Sequence, residues 1–188
     1  MSSVCVLLAP GFEETEAVAV IDVLRRAKID VVAASVEGTG TVTGSHDIAI
    51  AADAALDDVA DRDFDVVVLP GGMPGAAALR DDARVQDLVR RQHRARRHVA
   101  AICAAPIALA SAGVLQGRAA TSYPTFADQL GEVDYRDEPV VVDERVVTSR
   151  APGTALRFAL QLVRELEGPE LAARLGEAML VDGAPSVA

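Results

Sequence analysis

Cys103 stands where an apolar, strand-like run gives way to a helical pattern, in the stretch AAICAAPIALA (100–110). A cysteine at a strand–turn–helix junction sits beside unpaired helix N–H groups. These favour thiolate, the nucleophilic form, and should depress the thiol's pKa. Pro106 suits a first helical turn, and Ala101, Ala104 and Ala105 are small enough for a tight elbow. Free cysteine is also among the most buried residue types, so spacing alone leaves core residue and nucleophile equally open. Cys5, in mid-strand between Val4 and Val6, reads as core.

Two other stretches could serve Cys103. In GFEETEA (11–17), Glu13, Glu14 and Glu16 crowd a helix start, where negative charge is favoured. Glu16 lies one turn before Val20, so it is expected over the apolar face, where burial would raise its pKa and let it carry a proton near neutrality. In PGGMPG (70–75), the glycines allow close approach of the backbone, and the N–H groups of Gly72 and Ala104 would form an oxyanion hole beside Cys103. The turn is not a phosphate-binding P-loop, since no Gly-Lys-Ser/Thr follows. Of the histidines, His93 is expected on a polar helix and His98 at the amino end of a strand. His46 falls in a Gly-split excursion and could reach a rim only by fold-back or from a second subunit. No Cys–His pair and no metal-ligand spacing is evident.

The elements that must position these residues alternate strand with helix. Strands are expected at 3–9, 30–35, 65–70, 98–102 and 118–122. Helices are expected at 13–28, 82–95, 104–112, 152–167 and 169–180. Residues 38–53 read as a hairpin or edge excursion, and 140–143 with 145–149 as a hairpin or a continuation of the sheet edge. Near-continuous Val/Ile/Leu strands point to a doubly wound parallel sheet between helices. Ligands of such sheets bind at the strands' carboxyl ends. That rim comprises residues 10–16, 70–72, 103–104, 122–124 and 149–153.

The 188 residues suit a single domain spanning 1–188, with 182–188 expected as a loose tail. The net charge of −10 argues against nucleic acid or an anionic membrane as main partner. Neither a membrane span nor a signal peptide is evident, which leaves a cytoplasmic location as the expectation. Two cysteines without a CxxC do not make a disulfide framework.

The segments APGFEETEAV (9–18), VIDVLRRAKIDV (20–31), DVVVLPGGMPGA (65–76), VAAICAAP (99–106) and TSRAPGTALRFAL (148–160) resemble, in order and across nearly the full chain, the ThiJ/PfpI superfamily. Within it they are most similar to the branch of the parkinsonism-associated protein deglycase and its bacterial chaperone-like relatives. The resemblance implies a flavodoxin-like sandwich related to class I glutamine amidotransferases, a homodimer, and no cofactor or metal. It implies that Cys103 is the nucleophilic, oxidisable cysteine and that Glu16 is a protonated glutamate against its sulfur. Gly72 and Ala104 would then supply the backbone donors of the pocket, with Gly71 and Tyr123 also lining it. The implied activities are glyoxalase or deglycase action on small carbonyls such as methylglyoxal and glyoxal, or redox-sensing and chaperone-like stress protection through Cys103. Two departures stand out. Tyr123 occupies a turn where many members carry histidine, which places efficient glyoxalase turnover in question. Ala104 follows the cysteine where the peptidase branch has histidine, which argues against a protease.

Overall fold

In the computed structural model, which describes residues 1–183, the first half runs β1 (Ser3–Leu8), α1 (Glu14–Arg26), β2 (Asp30–Ser35), β3 (Thr41–Thr43), β4 (Ala49–Ala51), β5 (Ala54–Ala55), α2 (Leu56–Val59), β6 (Val66–Leu69), α3 (Gly75–Asp81) and α4 (Ala83–Arg94). The second half runs β7 (His98–Ile102), α5 (Pro106–Ser111), β8 (Ala119–Ala120), β9 (Asp134–Tyr135), β10 (Val140–Asp143), β11 (Val146–Ser149), α6 (Ala155–Glu167) and α7 (Pro169–Ala178). The expected tail falls largely outside the described residues.

The main sheet has the order β10-β11-β7-β6-β1-β2-β5, and every pairing is parallel except β10 with β11. Its five central strands, β1, β2, β6, β7 and β11, lie in the flavodoxin-like order 2-1-3-4-5. Both faces are apolar because successive side chains alternate. Cys5, Leu7, Val67, Leu69, Val99 and Ala101 pack towards the layer containing α3, α4 and α5. Val4, Val6, Leu8, Val66, Val68, Ala100 and Ile102 pack towards α1 and α6. On α1, Ala17, Val20, Val23 and Leu24 make the buried stripe. Each of its larger side chains contributes up to about 1.5–3 kcal/mol by leaving water.

One sequence expectation is corrected. The strand expected at 118–122 is only Ala119–Ala120, and it pairs with β9 outside the main sheet. Its place beside β7 is taken by β11, with β10 as the antiparallel edge. The displaced segment is held by side chains: Ala119 N–H donates to Asp143 Oδ2 at 2.8 Å and Thr121 N–H to Thr148 Oγ1 at 2.9 Å. Its backbone therefore docks without joining the ladder. The excursion at 38–53 contains the hairpin β3–β4. The helix α3 carries no periodic signal, because GAAALRD is mostly Gly and Ala.

Candidate active site

Glu16 follows β1, Gly71 and Gly72 follow β6, and Cys103 follows β7, so three strand ends meet beside the point where the strand order reverses. Cys103 adopts φ 63°, a left-handed conformation that non-glycine residues rarely take. Hydrogen bonds on both sides hold it there. Its N–H donates to Ser149 O at 3.0 Å, and its carbonyl accepts Tyr123 N–H at 2.8 Å. Regular helix begins only at Pro106, two residues later than expected from sequence, so Ala104 and Ala105 form the turn. Cys103 is half-buried, whereas Cys5 is fully enclosed and its thiol is pushed up to about 12 by burial.

Glu16 is 0 % exposed. Gly71 N–H donates to its Oε2 at 2.8 Å, and Oε1 has no hydrogen-bond partner among the described residues. The Cys103 thiol and the charge of Glu13 lie near enough to act on the carboxyl. Burial raises the carboxyl to about 7, against hydrogen bonds from Cys103 and Gly71 that act downward. The approach of these groups requires glycine. A Cβ on Gly71 would lie 2.6 Å from Cys103 Cβ and 2.7 Å from Glu16 Oε2. Gly72 has φ 86°, and a Cβ there would meet Glu13 N at 2.4 Å.

The thiol departs from the sequence expectation. Its pKa is pushed up to about 12, first by burial, then by the charge of Glu16 and its hydrogen bond. The N–H groups of Ala104 and Gly72 donate to the sulfur and pull the other way. Elbow donors alone therefore do not make a resting thiolate. Above about pH 7 the carboxylate accepts the thiol's hydrogen bond, so the proton lies one short transfer from Glu16. Tyr123 is 42 % exposed at the rim and touches the elbow through its backbone.

Of the two routes open to His46, the structure takes the fold-back. The β3–β4 hairpin folds back over the start of α1, where Gly11 N–H donates to Thr43 O and Ser45 N–H to Phe12 O. This brings His46 Nδ1 to 2.8 Å from Glu14 Oε2, while the N–H groups of His46 and Ile48 donate to Oε1. Burial alone would raise Glu14. The hydrogen bonds from the His46 ring, the backbone of His46, its own N–H and Ile48 together bring it down to about 2. Glu13 caps the helix by accepting Glu16 N–H at 2.7 Å. Glu13, Glu14 and His46 offer ligand atoms within 4.8 Å of one another, but both oxygens of Glu14 are already occupied by these donors. His98 is buried with Nε2 3.5 Å from Glu165 Oε2, at the end of β7 remote from Cys103.

A flavodoxin-like sheet with a strained cysteine elbow, a buried carboxyl against the thiol and two glycines at the strand ends defines a class of α/β cysteine proteins. The chain belongs to the DJ-1/PfpI family, whose profile matches residues 2–165. It is 45 % identical to protein dj-1beta of Drosophila melanogaster over 95 % of this chain and 97 % of that protein. The crystal structure of that relative superposes with a TM-score of 0.93, covering 96 % of this chain and 99 % of that one. The chain is 37 % identical to the glutathione-independent glyoxalase DJR-1.2 of Caenorhabditis elegans, over 89 % and 90 % of the two chains. The structure described as Toxoplasma gondii DJ-1, oxidized, matches with a TM-score of 0.93 at 38 % identity, covering 97 % of this chain and all (100 %) of that one. Among the described residues no helix is long and apolar enough to cross a membrane.

Proposed function

We propose that this chain is a cofactor-independent, cysteine-dependent glyoxalase that converts small 2-oxoaldehydes to 2-hydroxy acids, with methylglyoxal and glyoxal as substrates. The observation that carries the reading is the contact between the Cys103 thiol and the buried Glu16 carboxyl, which titrates near 7. One relative bears the name of a glutathione-independent glyoxalase, which supports the same reaction class.

The steps follow from the chemistry of this pair. Glu16 accepts the S–H proton as sulfur attacks the aldehyde carbon, and returns it to the carbonyl oxygen to give a neutral hemithioacetal. The N–H groups of Gly72 and Ala104, which donate to sulfur in the free protein, oppose the negative charge that develops there. Glu16, again a carboxylate, takes the hydrogen of the former aldehyde carbon as a proton. The resulting enediolate is reprotonated by Glu16 at the adjacent carbon, and the hydroxyl proton on the sulfur-bearing carbon passes to the neighbouring oxygen, giving a 2-hydroxyacyl thioester. Water cleaves the thioester, releasing lactate from methylglyoxal and regenerating the thiol. Atoms balance as substrate plus water, with no external redox partner. Purified protein given methylglyoxal should form lactate, and Cys103→Ala should abolish it; undiminished lactate from that variant overturns the reading. Deglycase action would draw on the same addition of sulfur to a carbonyl-derived carbon. The family resemblance further supports a cytoplasmic homodimer.

A second reading is favoured by the accessibility of Cys103 at a strained elbow and by a relative whose structure is described as oxidized. In it, Cys103 records peroxide as a sulfinate, held by the Ala104 and Gly72 N–H groups, and the protein acts in redox-sensing or chaperone-like protection.

A further inference from the structure

A second cluster lies at the opposite end of the sheet. A cleft of about 500 Å³ is lined by His93, Arg96, Arg118, Glu144 and Arg145. These residues come from three separate segments: the end of α4 and the turn after it, the approach to β8, and the β10–β11 turn. Arg96 lies just before β7, separated from it by Arg97, and Arg145 immediately precedes β11, whereas Cys103 follows the far end of β7. The two sites are therefore separated by at least the length of the strand, on the order of 13 Å.

Two features of the cluster bear on what it could bind. The chain carries a net charge of −10, and many of its arginines lie against carboxylates, as Arg25, Arg26, Arg84 and Arg97 do. Arg96 and Arg145, by contrast, have no carboxylate partner among the described residues. Arg118 is fixed by Asp143 at 2.9 Å and Glu144 at 3.1 Å, so it is both neutralised in part and rigidly placed. In addition, Arg96 has φ 56°, in the turn that closes α4, where glycine is the residue the backbone favours. The turn is otherwise well made: Ala95 N–H donates to Arg91 O, Arg96 N–H to His93 O and Arg97 N–H to Gln92 O, all within 3.0 Å. Those bonds occupy the helix's terminal carbonyls and reduce the repulsion they would exert on an anion. Helix-dipole complementarity accounts for Arg91 and Arg94 in the last turn. Lys28 closes α1 with the same conformation and hydrogen bonds, so the cap itself needs no ligand, but neither it nor the dipole accounts for Arg145 on a different segment.

We propose that this cleft binds a compact, multiply charged phosphate anion, with Arg96, Arg118 and Arg145 as its guanidinium donors. Guanidinium forks match phosphate oxygens in pairs, and three from separate segments converge as surface charge serving one helix would not. A long polyanion is disfavoured, because the acidic remainder of the surface repels it and Asp143 and Glu144 border the cleft. Among the described residues Glu144 is the one carboxylate in the lining; its side chain is 70 % exposed and can turn to solvent as the anion displaces it from Arg118. Burial and the charge of Arg118 hold the His93 pKa down, so a bound anion would draw a proton onto the ring and add a fourth donor.

The test uses the full chain at low ionic strength, with inorganic pyrophosphate and ADP as probes in parallel titrations by calorimetry. Saturable binding of either supports the shared pyrophosphoryl chemistry, and the tighter probe distinguishes an inorganic from a nucleotide source. Arg96→Gly removes the side chain while relieving the backbone, so it should keep or raise the melting temperature and weaken binding about tenfold. Arg145→Gln should weaken it similarly, and Cys103→Ala should leave it unchanged. Absence of saturable binding, equal displacement by the same concentration of chloride, or full affinity in the Arg96→Gly/Arg145→Gln double variant would each overturn the proposal. Because Cys103→Ala tests the other end of the sheet, failure here leaves the glyoxalase reading standing, and the reverse.

Discussion

A methyl group placed on Gly71 would stand 2.6 Å from the Cβ of Cys103. The same methyl would lie 2.7 Å from Glu16 Oε2 and 2.9 Å from Ile102 O, so no single side chain can move to receive it. Gly71→Ala should therefore cost about 1–3 kcal/mol of stability, a fall in melting temperature of about 2–4 °C for each kcal/mol, and remove lactate formation. Thermal unfolding and a methylglyoxal assay on the same preparation check both. A variant of unchanged melting temperature and full activity would show that the elbow and the glycine turn are not packed as described.

This contact also shows what the sequence could and could not convey. The strand ends that supply Glu16, Gly71 and Cys103 were legible, because continuous Val/Ile/Leu runs in β1, β6 and β7 mark buried parallel strands and a doubly wound sheet puts their carboxyl ends on one rim. Burial of Glu16 followed from its position one turn before Val20. The thiol's upward shift was not legible, since it arises from a carboxyl that reaches it only through the fold, across 87 positions of chain. The clamp between Glu14 and His46 was hidden for the same reason. The strand at 118–122 failed because Asp143 and Thr148 offer side-chain acceptors to a segment whose composition suits a ladder.

Glu16→Gln should separate the reactivity of the thiol from turnover. Burial remains, but the carboxylate charge and hydrogen bond that help push Cys103 up to about 12 are gone, while the Ala104 and Gly72 N–H groups still favour thiolate. Alkylation of Cys103 by iodoacetamide at pH 8 should accelerate at least about tenfold, corresponding to one pKa unit. Lactate formation should nevertheless collapse, because an amide cannot take the substrate proton. In addition, the raised Glu16 pKa makes stability fall as pH rises from 4.5 to about 7, and the Gln variant should be flatter over that interval. Slower alkylation in the variant would mean that Glu16 promotes the resting thiolate.

The Glu14–His46 clamp has its own pH window. The folded pKa of Glu14 is lowered to about 2, so its contribution is present above 4.5 and lost as pH falls towards 2. His46 is raised, first by its hydrogen bond to Glu14 and then by that group's charge, with Glu13 and Asp47 adding to it. Its contribution is full below 6.5 and lost as pH rises through the folded value. The clamp is thus strongest between about pH 4.5 and 6.5. His46→Ala should move the acid-unfolding midpoint upward and remove the decline on the neutral side, as followed by circular dichroism across pH. Superimposable curves for the two proteins would show that the contact has no thermodynamic weight.

Tyr123 supplies a backbone N–H to the elbow, whereas an imidazole at this position would bring the side chain whose charge ordinarily changes near neutrality. Its place is open, with 42 % of the residue exposed, so an imidazole can be accommodated without repacking. Tyr123→His should add a proton carrier at the rim and raise kcat for methylglyoxal by about tenfold, at the low end of general acid–base effects. Unfolding should be unaffected, because the retained backbone makes the bond to Cys103. A rate at or below that of the native chain would place position 123 outside the proton path.

Peroxide should distinguish the two cysteines. Cys5 and Cys103 share a thiol pKa of about 12, so thiolate content alone would not separate them. Their surroundings do. Cys5 is enclosed in the sheet with burial as its dominant influence, while Cys103 is half-buried, has Glu16 to accept its proton and has two N–H groups that can hold an anionic product. Mild hydrogen peroxide should convert Cys103 first to sulfenate and then to sulfinate, each oxygen supplied by one peroxide, and leave Cys5 untouched. Peptide mass spectrometry should find a two-oxygen adduct on the Cys103 peptide only. A resistant Cys103 would remove the redox reading and leave the catalytic one; equal oxidation of Cys5 would show that the reaction follows unfolding and not the elbow.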